Sequence, residues 1–333
     1  MTVSIPSLAV VVPCYNEEDV FPITLNTLQY LLEKLIASNK INSNSKLYFI
    51  DDGSKDSTWS LLKAASENYD NVVGIRLSRN KGHQNALYAG LCMTTEDIVV
   101  SIDADLQDDP VNIELMVDDY FRGNDVVYGV RSKRATDTFF KRFTAEGYYH
   151  LMKKMGVDLV FNHADFRLMS RRALNALLEY EESNLFLRGI VREVGFRSSI
   201  VEYERHAREA GESKYPLKKM LSFAWSGITA FSTKPLRMIT ILGILSGFAS
   251  LALIFWVLVV RFFTDHATPG WASILLPLLF IGSVQLLCLG IIGEYLSKIY
   301  QEIKKRPKYH ISDIASPSNI SQPLKKLKDH QSQ

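Results

Sequence analysis

The sequence predicts an α/β protein built on a largely parallel sheet and carried by two membrane-spanning helices. Three observations predict it. Through the first 130 residues, short Val/Ile/Leu runs alternate with amphipathic stretches, the rhythm of strands wrapped by helices. Two of the runs, Phe49 to Thr58 (FIDDGSKDST) and Val99 to Pro110 (VVSIDADLQDDP), end in bursts of carboxylates. Farther on, Ile239 to Phe263 and Ile274 to Leu296 are each predominantly apolar over more than 20 residues, long enough to cross a bilayer.

The elements follow in order. Leu8 to Val12 reads as a strand and Val20 to Ala37 as a helix, with Leu25, Leu28, Leu31, Leu32 and Leu35 at helical spacing. Lys46 to Ile50 is a second strand, and Thr58 to Tyr69 a helix with Asp56 and Ser57 as candidate caps. Val72 to Leu77 and Ile98 to Ile102 are strands, each followed by a helix, Gln84 to Met93 and Ile113 to Arg122; Val126 to Val130 is the fifth strand. Beyond Arg131 the pattern turns helical, at Leu151 to Met155 and Ser170 to Tyr180, with one more strand near Ser199 to Tyr203.

The expected organisation is a head of residues 1–215, an amphipathic juxtamembrane helix at 216–234, a two-helix anchor at 235–300 and a basic, disordered tail at 301–333. Pro216 to Thr233 mixes Leu, Met, Phe and Trp with lysines, which suits an interfacial helix, although an ordinary core helix has the same composition. The loop between the spans, Thr264 to Trp271, has no Lys or Arg. Lys234, Arg237, Lys298, Lys304, Lys305, Arg306 and Lys308 flank the outer ends. The positive-inside rule then puts head and tail in the cytoplasm. Gly243 and Gly247 form a Gly-X-X-X-Gly that either packs the spans together or joins subunits into a homo-oligomer.

Composition excludes other classes. The chain of 333 residues is 47% apolar and carries a net charge of +2, too little to attract nucleic acid. Its three cysteines, Cys14, Cys92 and Cys288, have no paired spacing and suit a reducing compartment. The N-terminus lacks a basic n-region, so no cleavable signal is expected.

Ligands of open α/β sheets sit beyond the carboxyl ends of the strands, so the acidic bursts point to a metal-assisted nucleotide site. Asp103, Asp105 and Gln107 alternate along one stretch and can face one hard cation, Mg²⁺ or Mn²⁺. Asp108 and Asp109 are left out, Asp109 because it can cap the helix after Pro110.

The set VVPCYNE, DDGSKDST, NKGHQNAL, DADLQDDP, GVRSKR and RHAREAGESKY, followed by two spans, resembles the glycosyltransferase family 2 enzymes that move a sugar from a nucleotide onto a polyprenyl phosphate. It is most similar to the bactoprenol glucosyltransferases of phages and O-antigen systems, and is also similar to dolichol-phosphate mannose synthases and aminoarabinose transferases. The resemblance implies a GT-A fold, a bacterial inner-membrane location and inverting transfer, with UDP-glucose as donor and undecaprenyl phosphate as acceptor. UDP-GlcNAc, GDP-mannose and UDP-aminoarabinose are alternative donors, and an inactive membrane scaffold is the alternative from another class. A processive polysaccharide synthase would carry an Arg-Trp pair, which this chain lacks.

The resemblance also distributes roles. Asp103, Asp105 and Gln107 match the metal positions. Pro13, Tyr15 and Glu17 shape the donor pocket, with Tyr15 stacking on uracil; Asp52 contacts the base, and Asp51 supports it or caps the turn at Gly53. Arg131, Arg208 and Lys214 match the cations that grip acceptor and diphosphate, with Arg205 as a helper and Lys218 and Lys219 left to lipid. Gly82 opens a helix whose N–H groups attract anions, and His83 beside it reads as a loop histidine. Asp165 sits where related transferases carry a base-like carboxylate, although an acceptor phosphate, largely dianionic at pH 7, is its own nucleophile; Asp165 is then free to position the sugar or Arg167. Two spans are too few for a lipid path, so a separate flippase and a downstream transferase are expected partners.

Overall fold

The computed structural model describes residues 5–131, 163–182, 187–203, 234–263 and 271–317. The chain forms two compact units. The first opens with β1 (Leu8–Cys14), α1 (Phe21–Ala37), β2 (Lys46–Asp51), α2 (Thr58–Asn68), β3 (Val72–Leu77), α3 (His83–Met93), β4 (Ile98–Ser101), α4 (Asn112–Phe121) and β5 (Val126–Arg131). It continues with β6 (His163–Ser170), α5 (Arg171–Leu178), α6 (Leu187–Glu193) and β7 (Ser198–Tyr203). The second unit holds α7 (Lys234–Phe263) and α8 (Trp271–Ile303), after which the chain re-enters the first as β8 (Ile311–Ala315).

The eight strands form one sheet in the order β7-β5-β6-β4-β1-β2-β3-β8. Strands β1 to β4 run parallel, and β6 is antiparallel to both β4 and β5. Every residue of β1 is buried, as expected of a central strand covered by helices on both faces. On one face, Leu25, Leu28, Leu32 and Leu35 of α1 pack with Val10, Val12, Phe49 and Val100 in the main core. On the other, an added Cβ at Gly90 of α3 would lie 2.5 Å from Ile50 and Val11, so the glycine lets that helix lie close to the sheet.

Two expectations are corrected. The basic tail from residue 301 is not disordered through 317: α8 runs to Ile303, and Ile311–Ala315 pairs antiparallel with β3. The helix expected from Ser170 begins at Arg171, behind a strand that the sequence did not reveal. Ser170 is its cap, accepting from the Ala173 N–H at 3.2 Å. β6 is buried on both faces; Phe166 and Leu168 join the core from one, and the other carries Asp165 and Arg167, so the continuous apolar run that announces a central strand is broken by the site itself. The expected helices at 151–155 and 216–234 lie outside the described residues, apart from Lys234.

The residues of the two expected spans fall within the helices α7 and α8 of the second unit. Among the described residues, Phe280–Ile303 is the one stretch long and apolar enough to cross a membrane, with mean hydropathy 1.5 and none of it buried. Phe248, Phe255 and Trp256 on α7, and Phe280, Leu286 and Leu289 on α8, are exposed.

Candidate active site at the strand ends

The carboxyl ends of β1, β2 and β4 meet the amino end of β6, because β6 is antiparallel to β4. Ser101 pairs with Arg167, so continuing that register by two residues brings Asp103 beside Asp165. The alternation of a strand also puts Asp165 and Arg167 on one face.

On the β1/β2 side, Pro13 is buried in β1 and Tyr15 stands exposed just past it. The Glu17 carbonyl accepts from the Val20 and Phe21 N–H groups and starts α1. Asp51 accepts from the Ser54 N–H at 2.9 Å, the turn-capping role, and its other oxygen lies 3.3 Å from Arg76 Nε. Asp52 accepts from the Lys81 N–H at 2.7 Å and the Gly82 N–H at 2.9 Å. Burial raises the pKa of Asp52, and these two N–H groups oppose the rise. Gly53, at φ +68°, lies where a Cβ would come within 2.7 Å of the Arg79 and Asn80 backbone, so the loop at 79–82 is seated directly on the β2 end.

Asp103, Asp105 and Gln107 do not share one extended stretch. β4 ends at Ser101, Leu106 turns at φ +49°, and the Gln107 N–H donates to Asp105 at 3.2 Å. The common facing expected from alternation is therefore not set by strand geometry, and Gln107 is buried. Among the described residues no three His, Cys, Asp or Glu side chains form a ready metal cluster. Asp103 itself fits a cation. Its Oδ1 is shut off from solvent without a hydrogen-bond partner. Burial pushes its pKa up to about 6; nearby His83 opposes the rise, and Asp165, Asp108 and Asp105 add to it. A divalent ion supplied with oxygen ligands here would remove that penalty.

Asp108, which sequence reasoning set aside, is fully buried and takes the guanidinium of Arg131 in a two-pronged pair, Nε to Oδ1 at 2.9 Å and Nη2 to Oδ2 at 3.0 Å. The planar fork of arginine fits this geometry. Arg131 is thereby aimed from the end of β5, with the Tyr203 hydroxyl interacting with both members of the pair. Asp109 accepts from the Val111 N–H at 2.9 Å, a turn just before α4 rather than the expected cap, since the N-cap residue is Val111 and carries no side-chain cap.

Asp165 is enclosed by donors. Arg167 Nη2 reaches its Oδ1 at 2.5 Å, Arg188 Nη2 its Oδ2 at 3.1 Å and Gln84 Nε2 the same oxygen at 3.0 Å. The imidazole of His83 stands between the two acids, 3.5 Å from Asp165 and 3.4 Å from Asp103. Burial alone would raise the pKa of Asp165, but His83, Arg188 and Arg167 outweigh it and hold the group well below the usual carboxylate range. For His83, burial opposes the charged ring, and Asp165 and Asp103 overcome it and raise its pKa. The cluster is thus a fixed carboxylate surrounded by cations, with Arg188 partly exposed.

Sequence reasoning named Asp165 and Arg167 but missed Arg188 and Gln84, and it read His83 as a loop residue. Gly82 at φ +86° turns the chain so that His83 and Gln84 form the first turn of α3, a signal the sequence did contain. Arg188 follows a segment outside the described residues, and nothing in its spacing points to Asp165. Arg205, Arg208 and Lys214 also lie outside the described residues.

Comparison with known proteins places this geometry. The model of the family called Glycosyl transferase family 2 matches residues 9–178. A Bacillus subtilis (strain 168) protein named "Uncharacterized glycosyltransferase YkoT" is 50% identical over 93% of this chain and 93% of its own length. The "Prophage bactoprenol glucosyl transferase homolog" of Escherichia coli (strain K12) is 39% identical, covering 92% of this chain and 99% of its own. The "Bactoprenol glucosyl transferase" of Shigella phage SfX is also 39% identical, over 91% and 98%. Among solved structures, the Pyrobaculum calidifontis mannosyltransferase PcManGT in complex with GDP-Man and Mn²⁺ aligns at 17% identity and TM-score 0.44, covering 89% of this chain and 85% of that one.

Proposed function

Since the chain belongs to glycosyl transferase family 2, we propose that it transfers a hexose, glucose from UDP-glucose, to undecaprenyl phosphate at the cytoplasmic face of a bacterial inner membrane. The observation that carries this reading is the state of Asp165. A sugar hydroxyl acceptor needs a base with a pKa near the working pH, whereas Asp165 is held well below the carboxylate range by His83, Arg188 and Arg167. An acceptor that arrives as a dianion, a phosphate monoester, needs no such base. The names of the relatives at 39% identity, which specify bactoprenol and glucosyl transfer, favour the same acceptor and donor.

In this reading Asp165 is a fixed counter-charge that orients Arg188 and His83 toward the donor, and Asp108 aims Arg131 at phosphate oxygens. Tyr15, exposed at the end of β1, offers its ring face to the base. Asp51 and Asp52 build the loop against which the nucleotide lies, the Glu17 carbonyl fixes the start of α1 beside it, and Pro13 shapes the end of β1. Asp103 and Asp105, with Gln107 nearby, would hold Mg²⁺ or Mn²⁺, which offsets the negative charge that grows on the leaving diphosphate. Attack in line by the acceptor oxygen inverts the anomeric centre. Arg205, Arg208 and Lys214 complete the grip on the acceptor phosphate.

Membrane attachment is supported by the exposed apolar side chains of α7 and α8, which water would not tolerate over so long a stretch. Topology adds a second argument. The chain leaves the first unit before α7 and returns to it as β8, and a chain that returns to one folded unit crosses a bilayer an even number of times. Two spans satisfy that rule and leave flipping and onward transfer of the lipid-linked sugar to other proteins, for cell-surface polysaccharide or lipid modification.

The test is radiolabel transfer from a panel of UDP- and GDP-sugars into undecaprenyl phosphate by the purified full chain, with Mn²⁺ or with EDTA. Chelator-sensitive transfer from UDP-glucose is expected. Transfer from another donor would replace glucose, and no transfer by folded protein would overturn the enzyme reading in favour of a scaffold.

A further inference from the structure

We infer that the segment after the second long helix, residues 308–315, is a positioning strap for the loop at 78–83, and so a working part of the donor site. The inference rests on the donor-site reading above. The loop at 78–83 supplies the two N–H groups that Asp52 accepts, is seated on Gly53, and delivers His83 to Asp103 and Asp165. It follows β3, and β3 would be an edge strand if β8 were absent.

The strap holds both ends of this loop. At the start, the Ser78 N–H donates to the His310 carbonyl at 2.9 Å, directly after Leu77 pairs with Ile311. One residue earlier in β3, the Ser312 hydroxyl donates to the Arg76 carbonyl at 3.2 Å. Arg76 in turn lies 3.3 Å from Asp51 and covers the Trp59 ring at 5.6 Å. Beyond the loop, the Tyr309 ring meets Tyr88 of α3 edge-on at 6.4 Å, and Lys308 Nζ stands 4.3 Å over the Tyr88 ring while donating to the Tyr180 carbonyl at 3.4 Å. Contacts on β3 and on α3 therefore bracket the six residues between them.

The strand has a built irregularity. Ile314 pairs with Ile75 and Asp313 with Arg76, but Ile311 pairs with Leu77, so Ser312 is an extra residue. In a regular strand Ile311 and Ile314 would point to opposite faces. The bulge at Ser312 returns both to one face, where both are half-buried while Ser312 and Asp313 are exposed. The same bulge leaves the Ser312 hydroxyl beside Arg76, next to the point where the loop departs.

Hydrogen exchange on the full chain in nanodiscs, wild type against the double variant Ile311→Asp/Ile314→Asp, tests the strap without relying on activity. Amides of 78–83 are expected to exchange about tenfold faster, while those of β1 and β4 keep their protection. Mn²⁺-dependent UDP binding is expected to weaken about tenfold, with donor KM rising and kcat changing little. A synthetic peptide of residues 306–317 should restore both. Unchanged exchange at 78–83 would overturn the inference. If the double variant loses protection throughout the head, Tyr309→Ala decides by the same reading, with Tyr309→Phe expected to retain the ring contact and the protection. Wild-type protein that fails to bind UDP would sink the donor-site reading, and the exchange result would still judge the strap.

Discussion

Asp103 and Asp165 flank the same imidazole at 3.4 and 3.5 Å, yet the protein drives them in opposite directions. Both suffer burial. Asp165 has two arginines, a glutamine and His83 turned toward it and stays ionised, whereas Asp103, among the described residues, has only the imidazole of His83 facing its Oδ1, with no hydrogen bond to that oxygen, three acidic neighbours and a pKa pushed up to about 6. The difference teaches that a carboxylate in an acidic cluster is not one kind of group. Asp165 is already neutralised by the fold and behaves as part of its framework. Asp103 has been left under-compensated, which is the state that suits the proposed cation site.

The largest expected effect breaks the Asp165 side. Asp165→Ala leaves Arg167, which is 1% exposed, as an uncompensated buried charge, and should destabilise the head by about 3–5 kcal/mol in denaturant unfolding. A variant of near wild-type stability with abolished turnover would make Asp165 a reacting group and erase the contrast with Asp103.

Asp103→Asn should act in the opposite sense. The pKa of Asp103 is raised in the folded state, so its contribution to stability is present below about pH 4 and lost as pH rises through about 6. The neutral variant is then expected to melt about 2–5 °C higher than wild type at pH 7.5, with the gap closing toward pH 4, and to lose its response to Mn²⁺. For Asp165 the sign reverses, because its depressed pKa gives stability above about pH 4 that is lost on further acidification. A thermal-melt series from pH 3 to 8 on wild type and Asp103→Asn separates the two slopes. A lower melting point for Asp103→Asn at pH 7.5 would contradict the under-compensated state.

Gly53→Ala sharpens the comparison from the loop that carries His83. The left-handed φ and the 2.7 Å approach of the Arg79 and Asn80 backbone predict a loss of about 1–3 kcal/mol and weaker UDP binding, read by melting and titration. The smallest effect belongs to the half-exposed Lys34, 2.8 Å from Glu114 and away from the strand ends. Lys34→Ala should change stability by about 0.5 kcal/mol or less and leave transfer unchanged, which serves as a control for the other three.

What was legible in the sequence was whatever depends on local pattern. The buried runs of β1 to β5 are dominated by Val, Ile, Leu and aromatic residues, and helix α1 repeats leucine at its own period, so their identities and succession along the chain could be read directly. The acidic bursts could be assigned to strand ends for the same reason, and the pair Asp165 and Arg167 shows the two-residue spacing of one strand face. β6 was hidden because one of its two buried faces is charged, interrupting the apolar run, and charge on a strand signals burial only when the partners are known. β8 was hidden because its two isoleucines stand three apart, a spacing that fits no regular strand until a bulge is admitted.

The sequence by itself determined the α/β class, the succession of the first five strands along the chain, the long apolar helices and the residues that bring chemistry to the strand ends, since each follows from the chemistry of neighbours along the chain. Only the tertiary structure decided which acid is compensated and which is not. That depends on Arg188 and Gln84 arriving at Asp165 from 23 and 81 residues away, on Asp108 rather than a ligand engaging Arg131, and on a strand from the far side of α8 closing the sheet. Electrostatic state is set by distances through space, and these are fixed only when remote segments pack.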